Sequence, residues 1–248
     1  MSLDRVALIA DIHGNRWALD AVLADIGRRG VGAIFDLGDS LYGPLDPKGT
    51  AERLLESGIP SLRGNCDRML LDPVPATATY AYTVAAVRPE HIAWLRALPP
   101  TRRVDGDVLL CHGTPGSDAT YLLERPTKHG GLLRPAAEIA AELEGLAAPV
   151  VACGHSHVPR AAWLEAGRLV VNPGSVGLPA YDDDVPSRHV MEAGSPHARY
   201  AVLTRQGAGW AVEHVAVPYD WAAASSAARE HGREDWAQAL LTGRARRG

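Results

Sequence analysis

Five short runs of apolar, largely β-branched residues each end in a polar motif. Residues 6–10 lead to Asp11-Ile12-His13-Gly14, and residues 33–37 lead to Gly38-Asp39. Residues 59–62 lead to Gly64-Asn65-Cys66-Asp67, 108–111 to His112-Gly113, and 150–153 to Gly154-His155-Ser156-His157. Continuous apolar runs bounded by glycine and polar residues predict buried strands. Helical spacing appears between them. Trp17, Leu19, Val22, Leu23 and Ile26 predict a helix over 15–29, with Asn15 as its cap. Further helices are predicted over 48–57, 89–98 and 135–144, the last two opening on proline. Strands and helices thus alternate through the first 155 residues, which predicts an α/β fold.

The last third changes character. Strands are expected at 161–165, 168–171, 200–204 and 210–217, with hairpin turns at 165–168 and 205–209, and these should build a second sheet. The Ala-rich stretch 221–242 predicts one or two closing helices. Two stretches, 114–134 and 178–199, show no core pattern and are expected to be irregular loops at the functional edge. No repeat or linker interrupts the chain, so one domain over residues 1–248 is expected.

In open α/β sheets, ligands gather outside the carboxyl ends of the strands. Asp11, His13, Asp39, Asn65, His112, His155 and His157 should therefore converge on one edge. Seven nitrogen and oxygen donors exceed what one divalent ion needs and suit two. The expected ions are transition metals: Mn, Fe, Ni, Co or Zn. Asp39 has two oxygens and is the natural bridge. Two ions sharing a carboxylate can hold a phosphoryl group and activate a bridging water. Asn65 adds an oxygen ligand without charge, and its amide can donate to phosphate. Asp67 could orient the third-motif loop. The N-terminus of the first helix favours phosphate, which makes Asn15 a candidate substrate contact. Arg125, Tyr121, His129, Asp182 and His189 are candidate substrate-side residues in the two loops.

Composition narrows the function. The net charge is −4, so no global cationic field recruits nucleic acid. All but Lys48 and Lys128 of the 25 basic residues are Arg. The tail Arg244-Ala245-Arg246-Arg247 is read as a solvated terminus. No apolar run reaches the ~20 residues of a membrane span. Residues 1–5 show no signal-peptide pattern, and three cysteines form no disulfide framework. A reduced, cytoplasmic protein acting on a small phosphoester or nucleotide-like substrate is expected, its oligomeric state open. Cys111 and Cys153 each precede a candidate histidine, so strand alternation turns them into the core.

In their order, the five motifs resemble the calcineurin-like metallophosphoesterase superfamily, nearest its small prokaryotic phosphodiesterase branch. The later Val171-Asn172-Pro173-Gly174-Ser175-Val176-Gly177 is similar to its final loop. The resemblance implies a four-layer α/β sandwich: two mixed sheets face to face, helices outside, the metals at the carboxyl ends of the strands. It implies one ion on Asp11, His13, Asp39 and His157, and another on Asp39, Asn65, His112 and His155. The implied activity is metal-dependent phosphodiester hydrolysis. The alternatives are a phosphomonoesterase or nucleotide pyrophosphatase on the same site, and a non-catalytic metal-bound scaffold. Many members carry His where this chain has Cys66, and that His contacts phosphate or protonates the leaving group. With Cys66 near the substrate, His13 or a water becomes the candidate acid. Ser40-Leu41-Tyr42-Gly43 after Asp39 lacks the Asp-Arg-Gly tail of the protein phosphatases.

Overall fold

The computed structural model describes residues 4–72 and 77–246. Met1–Leu3 and Arg247 of the basic tail lie outside the described residues. Two mixed sheets face each other. The first runs β13 (Gly209–Val217), β12 (Ala198–Gln206), β1 (Arg5–Ile9), β2 (Ala33–Asp36). The second runs β3 (Thr101–Val104), β4 (Val108–Cys111), β7 (Val150–Ala152), β9 (Leu169–Asn172), β8 (Arg160–Trp163). β1 pairs β2 in parallel, with Val6 opposite Ala33, and β4, β7 and β9 are parallel to one another. The parallel strands therefore deliver their carboxyl ends to one edge of each sheet.

Side-chain alternation builds the layers. Val6, Leu8 and Ala10 meet Leu110, Val150, Ala152, Val171, Ala201 and Leu203 between the sheets. Ala7 and Ile9 point outward, against α1 (Arg16–Arg28), which buries Ala18, Leu19, Val22 and Ile26. On the other side, Leu109, Cys111, Val151 and Cys153 pack under Ile139 of α6 (Ala136–Glu142). The result is the four-layer helix–sheet–sheet–helix sandwich. Both of those cysteines are core residues, as alternation required.

Several elements depart from the pattern reading. The last-third strands do not build a sheet of their own: β12 and β13 extend the β1–β2 sheet, and β8 and β9 extend the β4–β7 sheet. Residues 59–62 form only a bridge, with Ser61 beside Asp36. Pro60 has no N–H to donate, so the ladder is confined to Asp36 N–H on the Pro60 carbonyl and Leu62 N–H on the Asp36 carbonyl. The two stretches expected to be irregular hold hairpins: β5 (Glu124–Thr127) with β6 (Gly130–Leu133), and β10 (Ala180–Asp183) with β11 (His189–Glu192). Their four-residue strands alternate too briefly to register as a pattern. α3 (Asn65–Met69), α4 (Ala78–Ala86) and β3 were likewise not anticipated, whereas α2 (Pro47–Ser57) and α5 (Pro89–Ala97) were. The closing stretch forms α7 (Trp221–Glu230) and α8 (Glu234–Thr242). α8 buries Trp236, Ala237, Ala239 and Leu240 against Leu45, Leu178 and Ala180, which docks it beside β10. Among the described residues no helix is long and apolar enough to cross a membrane.

The core between the sheets is what holds the two edges in register. Leu110 is 1% exposed there. Leu110→Ala should cost about 3 kcal/mol through lost burial and a residual cavity. Urea denaturation measures this, and a loss below about 1 kcal/mol would mean that the sheets are not packed as described.

Candidate metal centre

The seven candidate ligands come together at the shared edge. Asp11 and His13 follow β1, Asp39 follows β2, Asn65 opens α3, His112 follows β4, and His155 and His157 follow β7. Five of them hold positive φ: Asp11 55°, His13 51°, Asp39 57°, His155 70° and His157 60°. Only one other non-glycine residue among those described does so. Left-handed backbone at a residue with a Cβ is strained, so the surrounding contacts must impose it. Asp11 N–H and His13 N–H donate to the Gly38 and Asp39 carbonyls, both at 2.9 Å. Ser175 Oγ donates to the Asp11 carbonyl at 2.7 Å. Asn172, the last residue of β9, donates to the Gly154 carbonyl and to Ser156 Oγ, fixing the turn that carries His155 and His157.

Close backbone approach explains the glycine of the third motif. A Cβ at Gly64 would stand 2.1 Å from Asp39 Oδ1. Asp67 then locks the junction. Its carboxylate accepts from the backbone N–H groups of Asp39, Ser40, Leu41 and Gly64. These bonds tie the third-motif loop to the Asp39 turn, and Asp67 is fully buried behind Asp39 and does not line the cleft.

The imidazoles show what the edge is built to hold. His13 Nδ1 lies 2.8 Å from the Tyr42 carbonyl, His112 Nδ1 2.9 Å from that of Leu37, and His157 Nδ1 2.6 Å from that of Leu178. A carbonyl only accepts, so each Nδ1 carries the proton and each Nε2 faces the centre. His13 Nε2 and His157 Nε2 are 3.1 Å apart. Burial pushes the pKa of both rings down, so both are neutral, and two lone pairs confront each other. Such a contact calls for a cation between the rings. His112 Nε2 stands 3.1 Å from Asn65 Oδ1, 3.4 Å from Asp39 Oδ2 and 3.9 Å from Asp11 Oδ1.

Charge leads to the same requirement. Asp11, Asp36, Asp39 and Asp67 are all buried near one another. The basic groups that pair with Asp11 and Asp39, among the described residues, are histidines alone. Burial raises Asp11 well above the carboxylate range, with Asp39 and Asp36 adding to it. Burial and the charge of Asp39 lift Asp67 to about 7, and burial lifts Asp36 to about 6. Burial also opposes ionisation of Asp39, but His112 and His13 hold it below its usual value. At His112 burial favours the neutral ring, and Asp39 and Asp11 overcome it, raising the imidazole to about 10. Burial and the His112 charge take His155 down to about 4. Buried carboxylates need compensating positive charge. The ligand atoms form close groups: Asp11, His13 and His157; Asp39, His112 and His155; and His13, Asp39 and Cys66. The donor set fits divalent transition ions.

The edge opens into a cleft of about 430 Å³. His13, Asp39, Asn65, His155 and His157 form its floor, with Cys66, Tyr121 and Asp182 beside them. Other expected substrate contacts lie elsewhere. Asn15 caps α1 through Ala18 N–H, and its amide is spent on the Gly177 carbonyl and Tyr219. It is fully buried and does not line the cleft. Arg125 pairs with Glu138 at 2.6 Å on the outside of the β5–β6 hairpin. His129 is exposed at that hairpin's turn. His189 is buried and bonds the Tyr121 hydroxyl at 2.9 Å. Pattern reading missed Tyr42, Tyr181, Arg233 and Trp236, all in the cleft wall. Trp236 shows apolar helical spacing with Leu240, which reads as plain core.

A calcineurin-like phosphoesterase superfamily domain matches residues 5–195. An uncharacterised protein of Methanocaldococcus jannaschii is 26% identical over 198 residues, 70% of this chain and 76% of that protein. A metallophosphoesterase from Sphaerobacter thermophilus shares the fold with a TM-score of 0.74 at 26% identity, covering 96% of this chain and 99% of that one. A putative diadenosine tetraphosphatase superposes at 0.55 with 18% identity, covering 86% and 94%.

The ionisation pattern makes a testable demand. His112, near 10, carries a proton at Nε2 that an incoming cation must displace. Loading divalent ions at about pH 7.5 should cause net proton release, from this ring and from the raised Asp11 carboxyl. Calorimetry in buffers of different ionisation enthalpy counts it, and binding without net release contradicts the assigned roles.

Proposed function

The chain belongs to the calcineurin-like phosphoesterase superfamily, and we propose that it is a dinuclear metal-dependent phosphodiesterase. The observation that carries this reading is the facing pair of Nε2 atoms on His13 and His157, beside a second group centred on His112. Asp11, His13, Asp39 and His157 hold one ion in this reading. Asp39, Asn65, His112 and His155 hold the other, and Asp39 joins the two. Bound divalent ions supply water of lowered pKa and draw charge from a phosphoryl group.

The protein's own groups do the rest. Asp67 and the strained backbone fix Asp39 and the Asn65 loop, so that no reorganisation is needed during the reaction. Asn65 presents a neutral amide, whose Nδ2 lies 3.5 Å from Cys66 Sγ. Water adds to phosphorus, the bond to one ester oxygen breaks, and the products are a monoester and an alcohol. His13 has Nδ1 on the Tyr42 carbonyl and Nε2 turned to the ion, so the leaving oxygen takes its proton from water in the cleft. Cys66 is a poor acid: burial and the Asp39 charge push its thiol up. A weak donor at this position favours diesters whose leaving group needs little protonation.

With metal loaded, the protein should hydrolyse bis(p-nitrophenyl) phosphate, and a chelator should abolish the reaction. Asp39→Asn should lower the rate by at least about 100-fold, the upper range for residues that merely support a ligand. Wild-type turnover by that variant would remove Asp39 from its bridging role. Cys66→His adds an imidazole donor at the leaving-group side. It should raise monoester hydrolysis relative to diester hydrolysis. If both metals bind and the ratio does not move, position 66 does not face the leaving group.

A further inference from the structure

The cleft does not end at the metal edge. One of its walls is α8, which lies past residue 195, outside the stretch that matches the family. Trp236 of this helix meets His13 edge-on at 5.7 Å. The guanidinium of Arg233, the residue that caps α8, stands 5.4 Å from the centre of the same indole. Both residues line the cleft, so its wall runs from the metal edge past Trp236 to Arg233.

Three bonds hold this guanidinium. Nε and Nη2 donate to the two oxygens of Asp235, at 2.9 Å and 2.6 Å, and Nη1 donates to Thr79 Oγ1. Thr79 is buried in α4, and Asp235 belongs to the first turn of α8, so both anchors sit on packed helices. A guanidinium has five N–H donors in a fixed fork. One on Nη1 and one on Nη2 remain free and face the cleft. That pair matches the two oxygens of a carboxylate or a phosphate. Asp235 offsets the charge of the arginine but leaves these donors directed. Because the side chain is already fixed, a ligand that takes them orders little more on binding.

The other charges of the lining are weaker opponents. Asp182 and Asp183 of β10 are exposed, so water and salt screen them, and Arg246 at the rim opposes them. An oxyanion in contact with the free fork makes charge-assisted hydrogen bonds, roughly twice as strong as neutral ones. We propose that Arg233 selects the substrate: a phosphodiester whose retained alcohol carries a second oxyanion, a carboxylate or a phosphate, received on the free fork while the diester lies at the metal edge. This deepens the diesterase reading and rests on it. Arg233 sets specificity in this assignment and takes no part in breaking the ester bond.

The test compares p-nitrophenyl phosphodiesters that share one leaving group and differ in the retained alcohol: propanol, hydroxypropionate or hydroxyethyl phosphate. Release of p-nitrophenol by the metal-loaded protein gives kcat/KM for each. An anionic ester should exceed the propyl ester by about tenfold, the size of one hydrogen-bonded contact to a charged group. The larger of the two ratios identifies the anion. The gain should lie mainly in KM, because the contact is the same before and during the reaction. Arg233→Gln removes both the charge and the fork and should erase the preference. Arg233→Lys keeps the charge without the fork and should retain only part of it. Each ratio is taken within one protein, so a loss of folded protein cancels. The proposal is overturned if neither anionic ester outruns the propyl ester in the wild type. It is also overturned if Arg233→Gln slows all three esters alike, which would put the arginine at the reacting phosphate. Bis(p-nitrophenyl) phosphate separates the two levels. If it too resists hydrolysis, the diesterase reading falls; if it is cleaved while the ratio is flat, only the role of Arg233 falls.

Discussion

Everything at the functional edge depends on one electrostatic demand. Four carboxylates are buried together, and neutral imidazoles aim lone pairs at one another across 3.1 Å. Neither arrangement is tolerable in a low-dielectric interior without positive charge. The carbonyl partners of His13, His112 and His157 remove the escape of a tautomer change, because each Nδ1 must remain a donor. Asp67 removes another, since four backbone N–H groups hold it where it stands behind Asp39. The site is preorganised for cations by contacts that do not themselves touch them.

The sandwich is what makes this demand affordable. Strand alternation puts Leu8 and Leu110 into one shared core and leaves the carboxyl ends of β1, β2, β4 and β7 at a common edge. The turns that leave those strands must reverse sharply, and five of the candidate ligands absorb the reversal with positive φ. Glycine cannot replace them, because they must also carry side chains. It is used instead where backbones touch, as at Gly64 under Asp39. The outer cleft has a different origin. α8 is held by an ordinary apolar face, and Trp236 and Arg233 reach the cleft from it.

That difference explains what could be read in the chain. The β1, β2, β4 and β7 strands and their terminal motifs were legible, since buried parallel strands are unbroken apolar runs and the motif residues have little reason to recur there by chance. The third motif was legible as chemistry but not as a strand, because Pro60 interrupts the ladder. The hairpins in 114–134 and 178–199 were hidden by their brevity and half-exposed faces. Asn15 and Arg125 show the limit of residue type as a guide. Both are suited to phosphate, yet one is consumed by capping and the other by Glu138. Tyr181, Arg233 and Trp236 carried no motif at all; only tertiary packing brings them to the metal edge.

The central claim is that this edge holds two cations joined through Asp39. Anomalous diffraction from crystals loaded with manganese or zinc tests it most directly. The account predicts two peaks flanking the Asp39 carboxylate, one beside His13 and His157 and the other beside His112 and His155. A single fully coordinated ion at saturating metal, with no second peak at Asp39, would contradict it.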